Sequence, residues 1–294
     1  MIPIVFSTDH RYVMPCGVAI SSLLMSDPGQ AYDVYVLAGA DVDAADREML
    51  QRQVAELSPE SRISFVDVGH HYADGYEIRG ISKACYYRLM IPWLLPQLDK
   101  VVYADVDVIF KASVRPIFET DLDGKYLAAS FTISEDTRGR LKRYFDRIGA
   151  DWEHYFNSGI LVINSAKMRE DSLNKEFQRL SGEKFLYQDQ DILNIVCRGK
   201  TAFFDQRYNL RPNTYAAGDF GPENVIIHYV GDKPWHTFTY AWAQWWEACE
   251  RTIFFDGDLY REISRQVLST RHSIKKSLRH TKIKLQILSR LVGK

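Results

Sequence analysis

The run VVYADVDVIF, residues 101–110, sets two aspartates inside what otherwise reads as a buried strand. Side chains alternate in direction along a strand, so Asp105 and Asp107 would point to one face. An unpaired carboxylate resists leaving water, and two of them pushed together call for a cation. The apolar segments on either side put the pair at a strand's carboxyl end, where open α/β sheets hold ligands. Carboxylate oxygens suit hard divalent ions such as Mg²⁺ or Mn²⁺, which keep waters and share phosphate oxygens. An isolated Asp-x-Asp also serves as an ion-pair partner or a turn cap, so the surrounding sequence has to decide.

Outward from that run, IPIVFS (2–7), YDVYVLA (32–38) and RISFVDV (62–68) read as strands. A helical pattern from about Pro15 to Met25 and a charged one over 43–57 separate them. That β-α-β-α-β order predicts a mostly parallel central sheet flanked by helices. SKACYYRLMIPWLLP (82–96) has the pattern of a helix ending at Pro96. KYLAAS (125–130), GILVINS (159–165), TAFFD (201–205) and NVIIHYV (224–230) read as further strands. The expectation is one nucleotide-binding α/β domain over residues 1–250 and a helical basic tail over 251–294.

With 294 residues, 46% of them hydrophobic, the chain can bury a large core. Formal net charge is −1, but nine Lys/Arg and no acid lie from Ile263 onward, which leaves −10 for residues 1–262. An acidic body argues against nucleic-acid binding through bulk charge. Cys16, Cys85, Cys197 and Cys249 lack zinc spacing and the density of a disulfide scaffold, which suits a reducing cytoplasm. MIPIVFSTD opens directly into a strand pattern without a charged leader, and no run reaches the roughly 18–20 apolar residues of a membrane span.

Neither GxGxxG nor GxxxxGK[ST] occurs, so a phosphate would be held by a metal and by side chains. HYVGDKPWH (228–236) offers His228 to a metal and Lys233 to a phosphate as a point charge. YQDQD (187–191) crowds Asp189, Gln190 and Asp191 before an apolar run, and acids there also suit the first turn of a helix. FNSGILVIN (156–164) reads equally as a strand entered through a turn, with Asn157 and Gly159 serving backbone geometry.

Together, Ser7-Thr8-Asp9 through Tyr12, Arg88, YADVDV, FNSGILVIN, YQDQDIL and HYVGDKPWH resemble the family 8 glycosyltransferases. The likeness is greatest to the short bacterial lipooligosaccharide galactosyltransferases and glucosyltransferases, and it runs from Ile2 to about Trp235. It implies a GT-A fold, a UDP-hexose donor, Mn²⁺ or Mg²⁺, and transfer of glucose or galactose with retention of configuration. Carried onto this chain, Asp105, Asp107 and His228 bind the metal. Ser7, Asp9 and Tyr12 meet uracil and ribose, with Thr8 and Val106 in the same donor-binding set. Arg88 and Asp105 hold the donor sugar or its ribose, and Gly231 and Lys233 close over the diphosphate. Asn157, Asp189 and Gln190 line the hexose as the catalytic group, Gln190 nearest the β face of the reacting carbon. Asp189 is the candidate if a covalent intermediate forms, and sequence does not separate that route from a front-face one. The chain departs from the family pattern in three places: Thr132 stands where an aspartate is expected, the HYVGDKPW loop is one residue short, and Arg11 replaces a polar amide.

In the tail, Ile263, Val267, Ile274, Leu278, Leu285, Leu288 and Val292 share one side of a helical wheel, with most basic residues opposite and Ile283 and Ile287 among them. That pattern reads as a membrane-surface element, or as a helix packed on its own domain or on a dimer partner. The leading expectation is a metal-dependent hexosyltransferase, peripheral on the cytoplasmic face of the membrane. Its acceptor would be a glycan or lipid-linked glycan, such as lipopolysaccharide, capsule or another glycoconjugate. A homo-oligomer is allowed and no nucleic-acid partner is expected. The alternatives are a sugar-nucleotide nucleotidyltransferase and a non-catalytic sugar-nucleotide or glycan-binding protein.

Overall fold

The computed structural model describes residues 1–69, 83–131, 135–266 and 269. Its first apolar runs become the strands Ile2–Thr8 (β1), Tyr32–Ala38 (β2) and Arg62–Asp67 (β3). Next come Lys100–Ala104 (β4), Val108–Phe110 (β5), Leu127–Ser130 (β6), Asn157–Asn164 (β7), Thr201–Phe203 (β8) and Ile226–His228 (β9). Seven of these form a sheet in the order β3-β2-β1-β4-β7-β6-β8, and β5 pairs with β9 in a second, small sheet. In the large sheet only β7 runs against its neighbours, so the sheet is mostly parallel as expected.

Alternation along β1 divides the core between the two faces. Ile4 and Phe6 pack with the helices Val13–Ser26 and Ala44–Leu57, while Val5 joins Tyr103, Leu161 and Ile192 on the other side. Asp43 and Asp46 close a reciprocal capping box that starts the Ala44–Leu57 helix. A third cluster, built on Trp235, Trp245 and Trp246, lies under the small sheet. It takes in Ile263, which is 2% exposed. Phe254 covers Gly17, where an added β-carbon would stand 2.1 Å from its ring, and Ile253 N–H donates to Gln53 Oε1 at 2.7 Å. Val267, Ile274, Leu278, Ile283, Leu285, Ile287, Leu288 and Val292 lie outside the described residues, as does Thr132.

Two sequence expectations need correction. VVYADVDVIF is not one strand: β4 ends at Ala104, β5 begins at Val108, and Asp105-Val106-Asp107 forms a corner that carries the chain from the large sheet to the small one. The corner is fastened at both ends, by Asp105 N–H to Gly159 O at 2.8 Å and by Tyr229 N–H to Asp107 O at 2.8 Å. The two carboxylates therefore meet because the chain bends, not because a pleat aligns them. The run near 82–96 is a 3₁₀ segment over Lys83–Met90 followed by one α turn, Ile91–Leu94, with Pro92 in its first positions.

Candidate active site

β1 and β4 are parallel, so Ser7, Thr8 and Asp9 emerge on the same edge as Asp105. β7 runs the other way, so its first residues, Asn157, Ser158 and Gly159, arrive at that edge too. A cleft of about 580 Å³ opens there. Ser7, Thr8, Asp9, Tyr12, Arg88, Asp105, Val106, Asp107, Asp189, Gln190, His228, Gly231 and Lys233 all line it. Asn157 sits behind the wall, bonded to Gln190.

At one end, Asp105, Asp107 and His228 each offer a ligand atom, all within 4.8 Å of one another. His228 Nε2 is 3.3 Å from Asp107 Oδ1 and 3.6 Å from Asp105 Oδ2. Asp107 Oδ1 is buried and accepts no hydrogen bond, an orphaned carboxylate oxygen beside an imidazole nitrogen. Two carboxylates, one of them with that orphaned oxygen, and an imidazole fit a Mn²⁺- or Mg²⁺-type cation. Lys233 Nζ lies 2.5 Å from Asp107 Oδ2 and donates to Tyr229 O at 2.8 Å. Burial pushes the Asp107 carboxyl up, but its neighbours, the Lys233 ammonium foremost, overcome that and hold the group well below the usual carboxylate range. Burial likewise opposes the Lys233 ammonium, and Asp107 outweighs it, so the lysine stays charged. Gly231, in the loop between them, has φ +93°, a left-handed conformation that suits glycine.

Elsewhere in the lining, Arg11 donates to Asp9 Oδ2 at 3.2 Å, while Asp9 Oδ1 is buried without a donor. Tyr12 stands edge-on to Trp235, with ring centroids 6.0 Å apart. Arg88 is 6% exposed and its guanidinium reaches Asp105 Oδ1 at 2.6 Å, Asp189 Oδ2 at 3.1 Å and Ser158 O at 2.6 Å. Its face lies on the Tyr103 ring, 4.5 Å from the centroid. Asp189 also accepts from Ser158 Oγ at 3.1 Å. Burial pushes its carboxyl up to about 6 even though Arg88 pulls the other way. YQDQD does begin a helix, Gln188–Val196, with Asp189 and Asp191 in its first turn.

Gln190 is held on every side. Its Oε1 accepts from Asn157 Nδ2 at 2.9 Å and from Ser158 N–H at 3.3 Å, and its Nε2 donates to the Tyr155 hydroxyl at 3.0 Å.

A profile of glycosyl transferase family 8 matches residues 3–239. The chain belongs to glycosyl transferase family 8. The lipopolysaccharide glucosyltransferase WaaO of Escherichia coli (strain K12) is 24% identical to this family 8 chain over 252 residues, 81% of this chain and 73% of WaaO. Among solved structures, the galactosyltransferase LgtC in complex with donor and acceptor sugar analogs superposes with a TM-score of 0.76 at 28% identity, covering 87% of this chain and 98% of LgtC. The bifunctional WbbM glycosyltransferase gives a TM-score of 0.75 at 25% identity over 88% of this chain, which spans only 51% of that one.

Two residues of the family 8 site carried no functional reading in the sequence. Gly159 lies inside β7, and its reason is closeness: an added β-carbon would stand 2.1 Å from His228 Cε1. Asn209 ends a 3₁₀ turn, Gln206–Asn209, and Leu210 then docks beside β9 through Leu210 N–H to Ile226 O and His228 N–H to Leu210 O, both 2.8 Å. That docking sets Asn209 against the imidazole, a placement that nothing in RYNLRP announces.

Proposed function

We propose that this glycosyltransferase moves glucose or galactose from a UDP-sugar to a glycan acceptor, with retention at the anomeric carbon and with Mn²⁺ or Mg²⁺ at Asp105, Asp107 and His228. The observation that carries the reading is the orphaned Asp107 Oδ1, facing His228 Nε2 in a cleft that is also lined by Asp9, whose Oδ1 is equally orphaned. A buried acceptor without a donor fits the N–H edge of a base at Asp9, and a cation at Asp107. Family membership favours glycosyl over nucleotidyl transfer. WaaO, named for lipopolysaccharide, supports an acceptor of that class.

A divalent cation held by Asp105, Asp107 and His228 would supply positive charge to stabilise the leaving diphosphate. Lys233 adds a second positive charge at the same end, already desolvated by the cleft wall. Arg88 keeps Asp105 and Asp189 at fixed spacing, 2.6 Å and 3.1 Å from its nitrogens, so the metal end and the sugar end cannot drift apart. Gln190 presents a fixed amide dipole at the wall where Asp189 attends the hexose, and Asn157 holds that dipole from behind. The basic tail is proposed to hold the protein to anionic lipid near a membrane-borne acceptor; among the described residues no helix is long and apolar enough to cross a membrane.

The test is hydrolysis of UDP-glucose and UDP-galactose without acceptor, assayed with Mn²⁺, with Mg²⁺ and with EDTA. Slow, metal-dependent release of UDP from one of them is expected. Equal turnover in EDTA, or no release from any UDP-hexose, would overturn the reading.

A further inference from the structure

The amides behind the cleft form one directed chain of hydrogen bonds. His228 Nδ1 lies 2.8 Å from Asn209 Oδ1, and Asn209 Nδ2 donates to Asn157 Oδ1 at 2.9 Å. Asn157 donates to Gln190, Gln190 to the Tyr155 hydroxyl, and that hydroxyl to Asp191 Oδ1 at 2.5 Å. The chain thus ends on a buried carboxylate, which only accepts.

The polarity of this chain follows from two main-chain donors. Gly159 N–H donates to Asn157 Oδ1 at 3.0 Å, and Ser158 N–H faces Gln190 Oε1 at 3.3 Å. A peptide N–H cannot become an acceptor, so neither amide can be turned round. With Asn157 Oδ1 fixed, Asn209 must aim its Nδ2 at that oxygen and its own Oδ1 at the imidazole. His228 Nδ1 therefore carries a hydrogen, and Nε2 is left to face Asp105 and Asp107. A metal-binding histidine needs that arrangement, with one ring nitrogen donating outward and the other offering its lone pair.

We propose that Asn209 is a positioning residue for His228: it selects the Nδ1–H tautomer and so makes Nε2 a ligand. The inference rests on reading Asp105, Asp107 and His228 as a metal site. Asn157 extends the same constraint to Gln190, so the sugar end and the metal end share one set of bonds.

Two variants separate tautomer selection from packing. Asn209→Leu keeps bulk and removes the acceptor, whereas Asn209→Asp keeps an acceptor for the Nδ1 hydrogen. Metal-free protein labelled with ¹⁵N-histidine, at about pH 8 where an ordinary imidazole is neutral, reports the tautomer directly, and His228→Gln assigns the signal. Wild type and Asn209→Asp should show Nδ1–H, while Asn209→Leu should shift toward Nε2–H or a mixture. Mn²⁺ affinity, read by electron paramagnetic resonance, should fall about tenfold or more in Asn209→Leu and much less in Asn209→Asp. An unchanged tautomer in Asn209→Leu would overturn the inference and leave the metal site standing, and equal losses in both variants would reduce Asn209 to packing. A wild-type protein that binds no Mn²⁺ would overturn the metal reading, and this inference with it.

Discussion

A β-carbon on Gly159 would stand 2.1 Å from Cε1 of His228 and 2.6 Å from its Nδ1. The imidazole is pressed flat against a strand backbone that also accepts the Asp105 N–H, so strand, corner and ring are fitted as one piece. Gly159→Ala is expected to push the ring out of line with Asp105 and Asp107. Overpacking of this kind costs about 1–3 kcal/mol of stability, which thermal unfolding would register. Mn²⁺ binding should weaken even in molecules that remain folded, and wild-type Mn²⁺ affinity in Gly159→Ala would refute this account of the glycine.

Removing the carboxylates tests the metal reading from the ligand side. Asp105→Ala also strips Arg88 of a partner at 2.6 Å, leaving a buried guanidinium short of countercharge, so it should lose both activity and stability. Asp107→Ala strips Lys233 of its partner at 2.5 Å, but that ammonium is more exposed than the Arg88 guanidinium, at 20% against 6%, so it should lose activity with a smaller effect on folding. UDP release and urea unfolding, measured on both, should show that contrast. Similar stability losses would mean that the Arg88 pair contributes little.

Gln190 should behave as a transition-state residue. Gln190→Ala is expected to lower kcat more than it raises the donor KM. Gln190→Glu keeps the acceptor that Asn157 and Ser158 use but sets a carboxylate oxygen against the Tyr155 oxygen, which already gives its hydrogen to Asp191. That variant should lose about 1–3 kcal/mol of stability. An effect of Gln190→Ala confined to KM would move the residue to ground-state binding.

Asp191 supplies a pH signature away from the metal. Burial raises its carboxyl, against donors from Tyr144 and Tyr155, each at 2.5 Å, and from Tyr187 N–H at 2.8 Å. A carboxyl raised in the folded chain keeps its proton to higher pH than the unfolded one, so its contribution to stability falls as pH climbs through the folded value. Tyr144→Phe removes one donor to the ionised form and should raise it further. The variant should therefore lose about 1.5–3 kcal/mol at neutral pH and less near pH 4, where the raised folded carboxyl takes up its proton and depends less on that donor. Urea unfolding at the two pH values checks the sign.

The parallel strands were legible because β1 and β2 are apolar runs flanked by clear turn residues, and local pattern is enough to specify them. The site was legible as a set, since the YADVDV, YQDQD and HYVGDKPWH segments each put charged or amide groups at an element's end. What sequence misread was the corner at Asp105-Val106-Asp107, where apolar residues on both sides look like one strand although they belong to two sheets. Asn209 and the true role of Gly159 were hidden for another reason. Each is defined by its distance to His228, and the contact is 19 residues away along the chain for one and 69 for the other. No local pattern encodes that.

The tail is the remaining proposal. Eight of its nine basic residues follow Ser269, a density of positive charge that suits a partner of opposite charge. Ile263 is buried in the domain, so a cut must fall beyond it to spare the core. A chain ending at Ser269 retains every residue that lines the cleft and should hydrolyse UDP-hexose at near the full rate. Each basic residue near an anionic surface contributes on the order of 1 kcal/mol, screened within about 8–10 Å at physiological salt. The shortened chain should therefore lose co-sedimentation with phosphatidylglycerol vesicles, while the full chain should bind them at low salt and release as salt rises. Equal binding by the two forms, or binding by the full chain that ignores salt, would count against a membrane role. A fall in stability or a change of oligomeric state on shortening would assign the tail to packing instead.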